Sequence, residues 1–410
     1  MEYGLIGEHL GHSFSKEIHE RIADYDYLIC EIAKDKLDEF MVNRDFKAIN
    51  VTIPYKERVR PHLFYIDNAA KKMGAVNTIV NRNGNLYGYN TDFFGLKALA
   101  DKIGISFKNK KVLILGTGGT SKTAVAVAKS EGASAVIKVS RRIGEDCITY
   151  DEAKNNHADC DIIINTTPCG MYPDNLGMPI DLEYFTKLEG VIDVIYNPLT
   201  TRLVQEAEAR GIKAGNGLYM LAAQAVFASE LFLGVKYPEG LTDQIYKDII
   251  LSKQNVVLTG MPCSGKSTVG RMLADALKRE FIDTDAVIEE KYGDITQIFE
   301  KQGEEDFRQM ESELIAEVSA RNSIVIATGG GAVLKGQNID RLKSNGKIFF
   351  IDRPLEDLIP TADRPLARNA DAIKKRYSER FGIYQATADV IINADCGKDC
   401  VMQKILEYLR

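Results

Sequence analysis

Gly260-Met261-Pro262-Cys263-Ser264-Gly265-Lys266-Ser267-Thr268 fits the Gly-x-x-x-x-Gly-Lys-Ser pattern of a phosphate-binding loop. An apolar run at 255–259 precedes it and reads as a strand. A helix pattern follows, with Val269, Met272, Leu273, Ala276 and Leu277 at i, i+3, i+4, i+7 and i+8. Strand, loop and helix in that order are the setting the motif needs. Glycines let backbone N–H groups turn inward around a phosphate. Lys266 can reach the terminal phosphates of a bound nucleotide, the Ser267 hydroxyl can ligate Mg²⁺, and the helix N-terminus adds a favourable partial charge. Gly260, Ser264, Gly265 and Thr268 complete the nucleotide-binding set. Residues 254–410 are therefore expected to form a nucleotide-binding domain, and residues 1–250 need their own explanation.

A chain of 410 residues is long for one core, so two or three domains are expected. The net charge of -6 offers no basic footprint for nucleic acid. The longest apolar stretch, 218–235, is interrupted by Gln224, Ser229 and Glu230 and reads as an amphipathic helix, with no membrane span expected. The first ten residues carry no signal-peptide pattern. The seven cysteines are scattered, so reduced thiols in a cytoplasmic protein are expected. Monomer and homodimer both stay open.

Residues 3–6 read as a first strand. Ser13 and Ser15 then precede a helix pattern through Ile18, Ile22 and Tyr25. Two hydroxyls at i and i+2 can cap that helix, or they can be offered to a polyol. Strands are expected at 27–32 and 48–53. The latter runs into Pro54, which leaves Lys56 just past its C-terminal end, the edge where open α/β sheets bind ligands. Thr52 lies in the same Asn50-Val51-Thr52-Ile53-Pro54-Tyr55-Lys56 segment. Gly74-Ala75-Val76-Asn77-Thr78 leads into a hairpin, with strands at 78–81 and 85–89 around Asn83-Gly84. It returns to Asn90-Thr91-Asp92 and a helix with Phe93, Leu96, Leu99, Ala100 and Ile103 on one face. Asp92 suits that helix's first turn by charge.

The pattern then changes. A short apolar strand at 111–115 feeds Gly116-Thr117-Gly118-Gly119-Thr120-Ser121, which opens a helix to about residue 131. A second strand, 135–139, ends in Ser140-Arg141-Arg142. This is a βαβ unit with a Gly-x-Gly-Gly-x-Ser loop. An NAD-binding fold places an acid on the ribose 2′-hydroxyl about 20 residues beyond its loop. Here that place holds Arg141 and Arg142, and two guanidiniums suit a 2′-phosphate. NADP(H) is the expected cofactor. Further strands are expected at 161–165 and 191–193.

Beyond the phosphate loop, Asp283 and Asp285 stand at a strand end. One suits Mg²⁺ through water and the other a substrate hydroxyl. Arg308 starts a helix. A strand at 323–328 runs into Gly329-Gly330-Gly331, a backbone open to close ligand approach. Arg364 falls in a polar stretch, and Arg380 and Tyr384 lie on a late helix.

Taken together, these motifs resemble two families in tandem: shikimate dehydrogenase over residues 1–250 and shikimate kinase from 254 onward. The resemblance implies an α/β chain. An N-terminal substrate-binding domain at 1–105, with helices at 217–250 packing back, would be followed by a Rossmann NADP-binding domain at 106–216. A P-loop domain like those of nucleoside-monophosphate kinases would complete it at 254–410. It implies that Lys56 and Asp92 form the catalytic acid–base pair. It moves Ser13 and Ser15 from caps to ligands, and makes Thr52, Asn77, Thr91, Tyr196 and Gln224 further substrate contacts. Gly116, Gly118, Gly119, Thr120, Ser121, Ser140, Arg141, Arg142, Asn165, Thr166 and Gly217 would line the NADP side. In the kinase, Asp285 would be the base, Asp283 would help to hold Mg²⁺, and Arg308, Arg380 and Gly330 would take the shikimate. Arg364 would reach ATP from the lid.

The implied activities are NADPH-dependent reduction of 3-dehydroshikimate and ATP-dependent phosphorylation of shikimate, consecutive steps of aromatic amino acid biosynthesis. Two departures from the kinase pattern are visible. The stretch between Arg364 and Arg380 is short, and Gly382 stands where the family has proline before the tyrosine. A quinate-using dehydrogenase and a non-catalytic shikimate or nucleotide sensor are the rival readings.

Overall fold

Short runs of Val, Ile and Leu form the central strands of two parallel sheets, because strands covered on both faces need apolar residues at every position. Ile162–Asn165 and Ile324–Ala327 are buried throughout. The computed structural model describes every residue except 12, 143, 145, 360–368 and 410. The chain divides into two compact units. One is Met1–Met171, Gly177–Asn197 and Leu203–Ile249; the other is Tyr172–Leu176, Pro198–Arg202 and Ile250–Arg410.

The first unit holds two six-stranded sheets. The N-terminal sheet takes β1 (Tyr3–Gly7), β2 (Tyr27–Glu31), β3 (Ala48–Val51), β4 (Tyr65–Ile66), β5 (Thr78–Arg82) and β6 (Asn85–Tyr89) in the order β2-β1-β3-β5-β6-β4. β1 pairs in parallel with β2 and β3, and β5 turns antiparallel onto β3 and β6. The second sheet takes β7 (Lys111–Leu115), β8 (Ala135–Val139), β9 (Cys147–Ile148), β10 (Ile162–Asn165), β11 (Gly190–Asp193) and β12 (Lys213–Gly215), all parallel, in the order β12-β11-β10-β7-β8-β9. The order reverses direction at β7, so the glycine loop that follows it opens at the switch point, where such sheets bind ligands.

The helix Asp92–Ile103 packs on the helix Gly217–Leu233, with Leu96, Leu99, Tyr219 and Met220 in one buried cluster. Gly95 permits the approach: a Cβ there would lie 2.6 Å from the Met220 carbonyl oxygen. This contact brings the start of the first helix, with Thr91 and Asp92, up to Gln224.

The second unit holds a five-stranded parallel sheet of β13 (Asn255–Thr259), β14 (Glu280–Asp283), β15 (Ile324–Ala327), β16 (Gly346–Asp352) and β17 (Val390–Asn393), in the order β14-β15-β13-β16-β17. Apolar clusters cover both of its faces. β13 has neighbours of later sequence on each side, so the loop after it again opens at a switch point. Gln254 alone separates the helix Leu241–Lys253 from β13.

One expectation is corrected. Cys396 and Cys400 form a disulfide, with Cα atoms 6.0 Å apart, so the seven cysteines are not all thiols. Cys400 sits in the first turn of the helix Lys398–Leu409, and a four-residue separation at a helix start brings two sulfurs together. Among the described residues no helix is long and apolar enough to cross a membrane.

Candidate active sites

A cleft of about 600 Å³ opens in the first unit. Ser13, Ser15, Thr52, Lys56, Asn77, Asp92, Tyr196 and Gln224 all line it, and so do Thr120 and Gly217 from the cofactor side. The Lys56 ammonium donates to Asp92 Oδ2 at 2.6 Å. Asp92 is the first residue of its helix, so it also sits where the helix dipole favours a negative charge. The Asn77 amide donates to Asp92 Oδ1 at 2.9 Å. Both carboxylate oxygens are therefore held by donors, and the ammonium is aimed by its partner.

Ser15 begins the helix Ser15–Ile22, and no side chain caps that helix. Ser13 Oγ accepts from the Ser15 N–H at 3.2 Å, and both serines face the cleft. Thr91 lies behind the wall: it is 1% exposed, and its hydroxyl donates to Gln224 Oε1 at 3.2 Å. Asn50 also lines the cleft and was not singled out from the sequence. Its only signal was its place at the end of a strand in the motif that carries Lys56.

On the cofactor side, Gly116 has φ 107° and a Cβ there would meet Thr166 Oγ1 at 2.8 Å, while Gly118 and Gly119 face open space. That cradle fits a dinucleotide's diphosphate. Ser121 is buried in the helix that follows, and Thr166 donates to the Leu115 carbonyl at 2.6 Å, tying the loops after β7 and β10 together. Arg141 and Arg142 are exposed past the end of β8, beside Ser140, whose hydroxyl accepts from the Arg142 N–H at 3.2 Å. Asn165 is fully buried. Its amide donates to Asp193 and accepts from Thr167, so it shapes the loop from within.

In the second unit a pocket of about 350 Å³ gathers Ser267, Asp283, Asp285, Arg308, Gly330 and Arg380. Gly260, Ser264, Gly265, Lys266 and Thr268 form the adjoining loop and helix start. Lys266 donates to the carbonyls of Gly260 and Met261 at 3.0 and 2.9 Å. Ser264 Oγ is buried without a partner, an orphan acceptor and donor inside a glycine cradle, which fits nucleotide phosphates. Ser267 and Asp283 share one wall with no larger acidic cluster among the described residues. That fits Mg²⁺, which takes one or two protein ligands and fills the rest of its shell with water and phosphate oxygens. Asp283 Oδ1 caps the helix Thr284–Tyr292 by accepting from the Asp285 and Ala286 N–H groups, which presents Asp285 in the first turn.

Arg308 donates to Glu311 at 2.7 Å and to Glu304 at 3.1 Å. Glu311 is fully buried beside Asp285 and was missed in the sequence. Burial raises its carboxyl above the usual range; Arg308 pulls it down and the Asp285 charge pushes it further up. Arg380 donates to the Gly330 carbonyl at 3.0 Å, and the Tyr384 hydroxyl donates to the same oxygen. A Cβ at Gly331 would lie 2.2 Å from the Arg308 guanidinium, so this backbone is packed directly against the arginine pair. Arg364 lies outside the described residues.

Fold and sites define a dinucleotide-dependent ketone reductase joined to a P-loop phosphotransferase. Residues 5–79 match the shikimate dehydrogenase substrate binding domain family, and residues 262–410 match the shikimate kinase family. The shikimate dehydrogenase (NADP(+)) of Halothermothrix orenii is 39% identical over 262 residues, spanning 57% of this chain and 91% of that protein. The crystal structure of a chorismate mutase/shikimate 5-dehydrogenase fusion from Clostridium acetobutylicum superposes with a TM-score of 0.57 at 36% identity, over 60% of this chain and 96% of that one. The shikimate 5-dehydrogenase of Thermus thermophilus, in complex with NADP(H) and shikimate, gives 0.54 at 26% identity, over 60% and 99%. The chain belongs to the shikimate dehydrogenase family and continues into a shikimate kinase domain. It is a bifunctional shikimate-pathway enzyme that uses NADP(H) in one half and ATP with Mg²⁺ in the other.

Proposed function

We propose that Lys56 and Asp92 are the acid–base pair of the dehydrogenase and that Asp285 is the base of the kinase. The observation that carries the first assignment is the 2.6 Å contact between Lys56 Nζ and Asp92 Oδ2 at the wall of the substrate cleft. Reducing 3-dehydroshikimate turns a ketone into an alkoxide, and the alkoxide needs a proton as it forms. NADPH supplies the hydride. Lys56 donates the proton, and Asp92 holds the ammonium in line and stabilises its charge. Ser13, Ser15, Thr52, Asn77, Tyr196 and Gln224 fix the hydroxyls and the carboxylate of the ring, with Thr91 supporting Gln224 from behind. Gly116 to Ser121, Ser140 to Arg142, Thr166 and Gly217 form the NADP wall, and Asn165 sets the shape of its loop.

In the kinase, Asp285 accepts the proton of the 3-hydroxyl, the same oxygen that the first half creates. Arg308, Arg380 and the Gly330 backbone orient the acid. ATP·Mg²⁺ supplies the phosphoryl group. Lys266, Ser267 and Asp283 would hold its phosphates and metal, and the lid arginine is assigned to Arg364. Phosphoryl transfer asks mainly for positioning and charge neutralisation, which these side chains provide. Both substrates are small polar acids, and we place the work in the cytoplasm.

A coupled assay with 3-dehydroshikimate, NADPH, Mg²⁺ and ATP tests the reading, with products identified by mass and quinate with NADP⁺ as the competing pair. Shikimate 3-phosphate should accumulate as NADPH is consumed. Lys56→Ala should lower NADPH oxidation by about 10²–10⁴-fold, the range for general acid–base catalysis, and leave the kinase at wild-type rate. Asp285→Asn should do the reverse. Wild-type turnover in either variant would remove that residue from its role.

A further inference from the structure

Behind the substrate cleft, buried side chains pass hydrogen bonds in one direction. The Tyr27 hydroxyl donates to Asn50 Oδ1 at 2.7 Å, and Asn50 Nδ2 donates to Thr78 Oγ1 at 3.1 Å. Thr78 Oγ1 donates to Asn77 Oδ1 at 2.9 Å, and Asn77 Nδ2 donates to Asp92 Oδ1 at 2.9 Å. The opposite oxygen of Asp92 takes the Lys56 ammonium. Groups that can only accept or only donate fix the direction. Asn50 Nδ2 also reaches the Asn77 carbonyl at 3.3 Å, and Asn77 Oδ1 also accepts from the Thr91 N–H at 2.7 Å. Neither amide can flip without facing donor to donor or acceptor to acceptor.

The chain's head is clamped. The Tyr27 ring stacks on His19 with centroids 3.9 Å apart and planes 5° from parallel, and Phe232 lies near-parallel to His19 at 5.8 Å. His19 is fully buried, and its Nδ1 meets the Tyr25 hydroxyl at 2.6 Å. Burial lowers the imidazole to about 3, so it stays neutral and adds no charge beside the tyrosine.

We propose that Tyr27 is a positioning residue of the dehydrogenase: its hydroxyl, held by the stack on His19, heads a directed hydrogen-bond chain that ends on Asp92 and steadies the carboxylate opposite Lys56. This rests on the reading of Lys56 and Asp92 as the acid–base pair. Aligned hydrogen bonds in a low-dielectric interior polarise one another, so a donor at the head strengthens the bond at the tail. A stronger bond to a carboxylate favours its charged form. The chain also spends both Asn50 N–H groups and one lone pair of Oδ1. Besides Lys56, the titratable groups that face the cleft around Asp92 are Glu8, His9 and Tyr196.

Tyr27→Phe deletes one oxygen at the head, and Thr78→Val replaces the middle hydroxyl by a methyl group. Weakening the support of the charged carboxylate should move the acidic limb of the kcat/KM–pH profile for 3-dehydroshikimate up by about 0.5 unit in each, and lower kcat about threefold. KM for NADPH should not change, and Thr78→Ser should restore the native profile. Since the bonds act in series, the double variant should shift the limb no further than the larger single shift. Circular dichroism and NADPH binding report that each protein is folded. A folded Tyr27→Phe enzyme with native limb and native kcat overturns the proposal, and so do additive shifts in the double variant. If Tyr27→Phe does not fold, Thr78→Val decides by the same criterion. Asp92→Asn run alongside separates the two ideas: native turnover there would sink the acid–base assignment, whereas its loss with an unmoved Tyr27→Phe profile would sink only the chain.

Discussion

His19 shows how one buried side chain links stability to pH. Its imidazole titrates near 6.5 in an unfolded chain and is lowered to about 3 by burial. The unfolded state therefore binds a proton below 6.5 that the folded state refuses. The stability this position confers is complete above that pH and is lost as pH falls toward 3. At pH 5 the loss should be about 2 kcal/mol. His19→Phe keeps a flat ring between Tyr27 and Phe232 and removes the titration. Urea unfolding at pH 7 and pH 5 should find that the variant loses about 2 kcal/mol less than the wild type on acidification. Equal losses in the two proteins would mean that His19 takes up its proton without unfolding. At the same scale, Glu311 shows what sequence reading cannot see. It stands three residues after Arg308, midway along a helix whose first turn already carries Glu304 and Glu305, and only packing makes it the fully buried partner.

Among the elements, the helix Ala370–Thr387 carries the sequence departure at Gly382. That residue is exposed, and a Cβ built on it meets no atom within 4 Å. Nothing about close approach requires glycine there, so its conformational cost is uncompensated. Gly382→Ala should stabilise the kinase unit by about 1 kcal/mol, the interior-helix difference between the two residues. Chemical denaturation followed by kinase activity would check it, and an unchanged or lowered midpoint would point to a need for backbone freedom in this helix. The loop after β15 is the contrasting case. A Cβ at Gly329 would lie 2.4 Å from Asp285 Oδ1 and 2.7 Å from Glu311 Oε1. Glycine is required at that position by side chains from two other helices, the fully buried Glu311 and the half-buried Asp285.

On the scale of the whole molecule, each compact unit carries one phosphate-binding glycine loop at the switch point of its own parallel sheet. A ligand bound only to the folded state stabilises it by about 2.7 kcal/mol at 100 times its Kd. NADP⁺ should therefore slow amide hydrogen exchange in β7, β8 and β10, and ADP with Mg²⁺ should slow it in β13, β14 and β15. Hydrogen-exchange mass spectrometry reads both at once. Protection of β13 by NADP⁺, or of β7 by ADP, would reverse the assignment of the two loops.

The sequence alone determined the two α/β halves, both glycine loops, the hairpin at Asn83-Gly84 and nearly every catalytic candidate. These are local signals: apolar runs, turn residues, and glycines at fixed spacing that only a backbone closing on a phosphate needs. β7, β8 and β13 even begin and end where the apolar runs do. Tertiary structure decided where each polar residue sits. Thr91 and Asn165 are buried behind the wall, Asn50 reaches the cleft, and Cys396 finds Cys400. The Tyr27–Asn50–Thr78–Asn77–Asp92 chain joins residues from four separate stretches of sequence. Hydrogen bonds act over about 3 Å and depend on direction. Whether a hydroxyl or an amide serves the substrate, a cofactor loop or its own core is therefore fixed only when distant strands and helices have brought its partners within reach.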